Sequence, residues 1–436
     1  MSPDQSAEQA RRAVETVWRM EWPRLVAGLT RVVGDIDAAE ELAQDALVAA
    51  LEQWPRDGVP PNPGGWLMLT AKHRAIDRVR RNQTFARKLA ELGHELVTEQ
   101  PDSPEPDNAV EDDLLRMMFT ACHPVLPEQA RVALTLRLLG GLTTEEIARA
   151  FVVTESTVAQ RIVRAKRTIA AKRVPYEVPG SDELPERLNS VLAVVYLIFN
   201  EGYSATTGND WVRFELCQDA LRLGRVLAEL LPAEPEVHGL VALLELQASR
   251  LPARTGPAND VVLLADQNRS RWDRLLIRRG LAALGRANAV ARDRSLPPGS
   301  YALQAAIAAV HAMAATPGDT DWRRIAGLYA VLAERFPSPI VELNRAVAVS
   351  KVHGPAAGLD LVDTLVTAGV LDTYHLRYAV RGDLLVQLDR YEEARAEFTR
   401  AAELTGNKAE RALLLDRAAA SARRASVAGE IRSGGT

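Results

Sequence analysis

Apolar residues recur every three to four positions along most of this chain, in segments divided by Pro, Gly and acidic stretches. That period belongs to amphipathic helices. From Ala7 to Val33 it predicts one helix, with Pro23 a point of interruption and Gly34 and Asp35 a stop. A second helix starts near Asp37. Leu42, Ala46, Leu47 and Ala50 share one face, with Glu40, Glu41, Gln44 and Asp45 beside them. Pro55 to Gly65 reads as a turn, and GWLMLTAKHRAIDRVRRN, Gly65 to Asn82, as a third helix.

The pattern then breaks. Between Glu95 and Asp113 lie eight acidic residues, no Lys or Arg, and Pro101, Pro104 and Pro106. Prolines and like charges disfavour helix and packing alike, so 91–112 reads as an extended tether. Helical periodicity returns at 113–173, lapses in VPYEVPGSDELPER (174–187), and continues from 188 to 426 before a polar tail. Late in that run, RGDLLVQLDRYEEARAEFTRAAEL carries Leu388, Tyr391, Ala394, Phe398 and Ala401. Large and small residues at those offsets let two antiparallel helices nest, as in a tetratricopeptide (TPR) unit. VELNRAVAVSKVHGPAAGLDLVDTL is a weaker upstream copy. The fold class expected is all-α, ending in a TPR-like array.

TTEEIARAFVVTESTVAQRIVRAKRTI, from Thr143 to Ile169, has a finer structure. Thr143 or Thr144 can cap a short helix, with Glu146 in capping-box position. FVVT makes a turn, and Thr154 or Glu155 opens a second helix whose Val158, Ile162, Ala165 and Ile169 form one stripe. Ser156, Gln160, Arg164 and Arg167 project from the opposite side, flanked by Thr157 and Arg161. Short polar side chains followed by cations suit a helix that meets base edges first and phosphates later. A solvated surface helix would mix Glu among its bases; here six basic residues from Arg161 to Arg173 have no acidic companion. A helix-turn-helix alone still says only that DNA is a partner.

Composition narrows the class. The chain of 436 residues is 47% hydrophobic, 25% charged and 5% aromatic, with a net charge of −4, so nucleic-acid binding must come from local clusters. Cys122 and Cys217 form no CxxC, which excludes a disulfide framework or thiolate zinc site and fits a cytoplasmic protein. VLAVVYLIFN is about half a membrane span, and no signal-peptide core is present at the start. A second cationic cluster lies from Lys72 to Lys88, with seven Lys or Arg against Asp77 alone and Trp66 near the start of the same helix. Such a helix can lie along phosphates while an aromatic side chain holds an unstacked base; the competing reading is a core tryptophan under a solvated cationic face.

Taken in order, AEELAQDALVAALEQW, PGGWLMLTAKHRAIDRVRR and LTLRLLGGLTTEEIARAFVVTESTVAQRIVRAKRTI resemble regions two and four of an extracytoplasmic-function (ECF) sigma factor over about the first 173 residues. The remainder resembles the long C-terminal extension of one ECF subgroup, through FNEGYSAT, RLPAR, DQNRSRWDR and SPIVELNRAVA. The resemblance implies that Glu41, Gln44 and Asp45 meet the clamp helices of the largest subunit of core RNA polymerase. It implies that the helix from Trp66 to Arg81 reads and helps melt the downstream promoter element, with Lys72, Arg74, Arg78 and Arg81 on backbone and Asp77 orienting neighbouring arginines. His73 stands where relatives often have Asn, which leaves the preferred melted base open. Thr157, Gln160, Arg161 and Arg164 would read the upstream element, with Ser156 and Arg167 on phosphates.

In the C-terminal region no P-loop, Rossmann glycine pattern, HExxH or GxSxG occurs, so neither an enzyme nor a cofactor or metal is implied. His311 reads as packing, Gly202 as a helix terminator, and Cys122 as a buried thiol at a helix end. Asn200 to Tyr203 reads first as a helix end and second as a pocket wall. Asp266, Gln267, Asn268, Arg269, Arg271 and Trp272 read first as a hydrogen-bonded helix junction and second as a ligand site. The organisation expected is a region 2 domain (1–90), the acidic linker (91–112), a region 4 domain (113–173), a second linker (174–187), a helical TPR-like domain (188–426) and a tail (427–436). The function expected is promoter recognition with core polymerase, regulated in cis by the C-terminal domain, which could also take a protein or peptide partner. The competing function is a conventional helix-turn-helix regulator with a helical sensing domain.

Overall fold

The computed structural model describes residues 21–90, 108–256 and 260–433 together with Val14 and Val17; side chains at 77–90, 108–111 and 428–433 lie outside the described set. The fold is all-α. Among the described residues, extended structure amounts to a parallel pairing of Thr207–Gly208 with Gly406–Asn407 and one bridge between Thr255 and Val261. The chain separates into two compact units, Met1–Val195 and Tyr196–Thr436.

Unit 1 begins with helix α1 (21–33), in which Pro23 is helical. Gly34, at φ 70°, lets the chain leave that helix, and the Asp35 carboxylate accepts from the Ala38 amide to start α2 (Ile36–Asp57). Pro55 lies inside α2, and Gly58 at φ 85° ends it. The third helix, α3 (Pro63–Ala90), continues beyond the expected Asn82. Its Leu67, Ala71 and Ala75 are buried, and α2 packs against it. Residues 91–107 of the acidic tether lie outside the described residues; α4 (Asn108–Ala121) already starts within the stretch read as linker. Next come α5 (Glu128–Leu138), α6 (Thr144–Phe151) and α7 (Glu155–Ala171). Cys122, one residue past α4, is buried with its thiol 3.3 Å from Thr135 Oγ1.

Unit 2 takes over inside α8 (Leu184–Tyr203) and continues through α9 (Phe214–Leu230), α10 (Pro235–Ala248), α11 (Arg274–Asp293), α12 (Ser300–Met313), α13 (Trp322–Arg335), α14 (Pro339–His353), α15 (Pro355–Thr367), α16 (His375–Gln387), α17 (Tyr391–Leu404) and α18 (Lys408–Ser433). From α10 onward each helix packs on the next, and three apolar clusters follow one another along the array. Gly202 lies inside α8. It terminates nothing: a Cβ there would come within 2.7 Å of the Cys217 amide nitrogen, so the glycine lets α9 approach. Gly382 serves the α16–α17 pair in the same way: a Cβ there would come within 2.7 Å of the buried Phe398 ring. The fully buried Asn407 donates to the carbonyls of Ala205 and Asp210, tying the turn before α18 to the loop after α8.

The 266–272 stretch is a junction. Arg269 donates to the carbonyls of His311 and Ala314 and to Thr320 Oγ1, Gln267 donates to the Val262 carbonyl, and the Asn268 side chain caps the short turn of Arg269–Arg271. His311 is buried with its ring edge-on to Trp322 at 5.2 Å.

Two consequences are measurable. Val152, the residue that closes α6, sits at φ 51° and ψ 46° with its side chain 55% exposed, a conformation that a β-branched residue adopts at a cost. Val152→Gly is expected to raise the stability of unit 1 by about 1 kcal/mol in urea unfolding. Burial, reinforced by Arg250 and Arg269, holds the His311 pKa down at about 3. The imidazole stays neutral in the folded protein while the unfolded chain takes up a proton below its ordinary value of about 6.5. The stability this provides is complete above about pH 6.5 and is lost as pH falls toward 3. Between pH 7 and pH 5 it amounts to about 2 kcal/mol, and in His311→Phe that component of the pH dependence should vanish.

Candidate nucleic-acid interface

The capping box forms as read: the Thr143 hydroxyl accepts from the Glu146 amide at 3.1 Å, and Glu146 accepts from the Thr143 amide at 2.8 Å. Thr154 caps α7 by accepting from the Thr157 amide, and its hydroxyl also lies 2.8 Å from the Thr157 hydroxyl and 3.0 Å from that of Ser156. Val158, Ile162, Ala165 and Ile169 are buried. Ser156, Gln160, Arg164 and Arg167 are exposed on the other side, and Thr157 and Arg161 are half-buried at its margin. The exposed side is therefore polar at the first turns and cationic at the later ones.

One of the six bases is turned away from that face. Lys166 pairs with Asp37 at 2.6 Å and with Glu40, both on α2. Glu40 is itself buried and accepts from Arg137 on α5 at 2.8 Å. Arg137 in turn lies 5.5 Å over the Trp22 ring, whose indole N–H donates to the Arg137 carbonyl. One carboxylate thus joins α2, α5 and α7. The clue lay in the spacing, since Lys166 follows Ile162 by four positions and borders the buried stripe.

A second link lies in the segment read as a plain linker. The Tyr176 hydroxyl, its pKa pushed up by burial, points at the carbonyls of Ala27 (2.9 Å) and Asp113 (3.0 Å). Asp113 is buried between Arg31 and Arg116, and desolvation raises its carboxyl despite both cations. Further on, Arg187 donates to the Phe119 carbonyl, and Ser190 to that of Cys122.

On α3, Trp66 is half-buried and meets the buried Trp54 ring edge-on at 5.6 Å, so it combines packing with an accessible edge. Lys72 is half-buried and His73 exposed. Arg74 donates to the Asp45 carbonyl at 2.6 Å, with the Asp45 carboxylate 3.9 Å away. Arg78, Arg81 and Asp77 fall on the same helix, but their side chains lie outside the described residues. Glu41, Gln44 and Asp45 are exposed on α2, opposite the buried Leu42, Ala43, Ala46 and Leu47. Val48 and Leu51 extend this face, 52% and 44% exposed. Neither is among the residues expected at this face from the sequence, although two apolar residues off the core stripe of an amphipathic helix are a signal of a covered surface.

Comparison with known proteins agrees with this layout. The description "Sigma-70 region 2" matches residues 18–85, "Sigma-70, region 4" matches 116–169, and a "Family of unknown function (DUF6596)" matches 187–288. An uncharacterized protein of Rhizobium meliloti (strain 1021) is 44% identical over 398 residues, covering 90% of this chain and 92% of its own. The ECF RNA polymerase sigma factor SigK of Mycobacterium ulcerans (strain Agy99) is 29% identical over 148 residues, covering 33% of this chain and 76% of its own. SigK of Mycobacterium tuberculosis (strain ATCC 25618 / H37Rv) is 29% identical over 150 residues, with 34% and 78% covered. The chain belongs to the ECF sigma factors of RNA polymerase and carries a C-terminal helical extension. It is a transcription-initiation factor, a non-enzymatic class. Among the described residues no helix is long and apolar enough to cross a membrane.

Removing the Glu40 carboxylate leaves Arg137, 16% exposed, without its counter-charge, and leaves Lys166, 11% exposed, with only the exposed Asp37. Glu40→Ala should therefore lower the urea-unfolding stability of unit 1 by about 3–5 kcal/mol.

Proposed function

We propose that the chain directs core RNA polymerase to promoters through three faces of unit 1. The exposed face of α2, with Glu41, Gln44 and Asp45, docks on the clamp helices of the largest subunit. Trp66, Lys72, His73, Arg74, Arg78 and Arg81 on α3 engage and open the downstream element. Ser156, Thr157, Gln160, Arg161, Arg164 and Arg167 on α7 hold the upstream element. The observation that carries this reading is the order of side chains along α7: polar near its N-terminus, cationic beyond, and opposite a fully buried stripe. Arg74 supports it from another side. Its bond to the Asp45 carbonyl joins the helix assigned to polymerase to the helix assigned to melted DNA, so each braces the other.

The division into a region 2 domain (1–90), an acidic tether (91–112), a region 4 domain (113–173), a connecting segment (174–187), a TPR-like domain (188–426) and a tail (427–436) belongs to the same proposal. Two modest DNA-binding surfaces gain from being held on one polymerase, because tethering raises the effective concentration of the second once the first is engaged. The Glu40–Lys166 contact holds α2 beside α7. Engagement of two separated elements by the two modules requires that contact to open. The C-terminal domain regulates this activity in cis and offers its helical array to a protein or peptide partner. With polymerase as its target, the protein works in the cytoplasm.

The test is promoter-specific transcription with core polymerase and paired variants. Gln160→Ala should cost about 1–3 kcal/mol of discrimination at one upstream base. Arg167→Ala should weaken all promoters alike and shallow the log–log salt slope by about 1. Unchanged specificity and salt slope in both variants would remove α7 from the reading.

A further inference from the structure

Among the described residues five arginines are more than nine-tenths buried: Arg187, Arg250, Arg254, Arg269 and Arg377. A guanidinium taken out of water needs a counter-charge or a set of acceptors. Three have them. Arg187 meets Glu183 at 3.9 Å and donates to a backbone carbonyl, Arg377 meets Asp372 at 3.2 Å, and Arg269 has the three acceptors already described. Arg250 and Arg254 differ. Among the described residues neither has a carboxylate within 4.0 Å, and the bond from Arg250 to the Ala308 carbonyl is long, at 3.4 Å.

The local fold explains why the two lie together. The single turn of Leu251–Ala253 follows α10 directly and carries the chain from one arginine to the other. Arg254 stacks on the Tyr203 ring with its guanidinium carbon 3.7 Å from the centroid, and lies 5.4 Å from that of Trp211. Arg250 lies 5.4 Å over Trp272. Aromatic stacking holds a guanidinium by its face and leaves its edge, where the N–H groups are, available to a planar oxyanion. Four buried nitrogens around this point have no partner: Nε of Arg250, Nε of Arg254, and the indole nitrogens of Trp211 and Trp272. All four are N–H donors. The Tyr203 hydroxyl faces Arg250 as a neutral acceptor and Tyr329 borders it; burial pushes the Tyr329 hydroxyl up to about 12, so it too stays protonated at neutral pH.

The cluster therefore holds a surplus of donors and two positive charges, and lacks a negatively charged acceptor. Water would satisfy the N–H groups while leaving both charges uncompensated. We propose that Arg250 and Arg254, walled by Tyr203, Trp211 and Trp272 and bordered by Tyr329, bind the carboxylate or phosphate group of a small molecule. A peptide chain is a poorer fit, because side chains more than nine-tenths buried admit a compact group and not a continuous backbone. None of these residues belongs to the surfaces assigned to promoter or polymerase, so the inference stands apart from that reading.

The experiment is a thermal-unfolding titration of the full chain, without polymerase, with inorganic phosphate in one arm and citrate in the other. Chloride at matched ionic strength is the baseline. The expected result is a saturable rise of the unfolding midpoint in at least one arm, absent from chloride, and the arm that responds identifies the oxyanion class. Arg254→Gln should abolish the rise or shift its half-saturation at least tenfold. Arg250→Gln should do the same; if it fails to fold, Arg254→Gln decides alone. Isothermal titration of the full chain must show saturable heat at the same concentrations. No saturable response to either anion, or the same response in Arg254→Gln, overturns the proposal and leaves the pair as cation–π packing.

Discussion

A carboxylate buried among cations sets the arrangement of unit 1. Glu40 is 6% exposed and holds both Arg137 and Lys166, so a single α2 side chain fixes where α5 and α7 lie. Such a group is costly alone and tolerable only with its partners in place. The cost therefore acts as a geometric instruction. With Lys166 on Glu40, the α7 stripe of Val158, Ile162 and Ala165 faces inward, and Gln160, Arg164 and Arg167 are presented outward. The same helix uses one of its cations for architecture and leaves Arg164 and Arg167 exposed. Tyr176 and Asp113 repeat the device nearby, with a hydroxyl and a carboxylate drawing α1, α4 and the segment after α7 together.

Unit 2 is built on a different principle. Its helices approach closely because small residues stand where neighbours press, as at Gly202 under Cys217 and Gly382 under Phe398. Close packing of this kind makes a rigid array without requiring charge. Against that background the buried Arg250 and Arg254 stand out, since the other buried arginines of the described chain are matched by carboxylates or carbonyls. A rigid frame can hold two uncompensated guanidiniums in place, which is the condition for binding an anion without first reorganising the site.

Much of this was legible before the fold. The capping box at Thr143, the cap at Thr154 and the stripe from Val158 to Ile169 follow from local rules, and local rules suffice where the partner of each group lies three or four residues away. Ala394, Phe398 and Ala401 were readable for the same reason, and all three are buried. What escaped was long-range. The pairing of Lys166 with Glu40 spans 126 residues, and the bonds of Tyr176 span 149 and 63. No periodicity reports such contacts. Gly202 was misread because a glycine near a helix end has two physical uses, a left-handed turn and a close approach, and only the position of Cys217 chooses between them. The early start of α4 at Asn108 shows that a helix can begin inside a stretch rich in prolines and acids, where composition alone reads as a tether.

On the proposed function, sequence-specific DNA binding by this chain depends on core polymerase. The most direct measurement selects fragments from a random duplex pool with the full chain and core polymerase. It then follows fluorescence anisotropy of a selected fragment titrated with the full chain, with and without core. The expected result is weak, salt-sensitive and sequence-indifferent binding by the chain alone, and tight binding with preference for the selected fragment when core is added. Equal, sequence-specific binding of the duplex in the absence of core would contradict it.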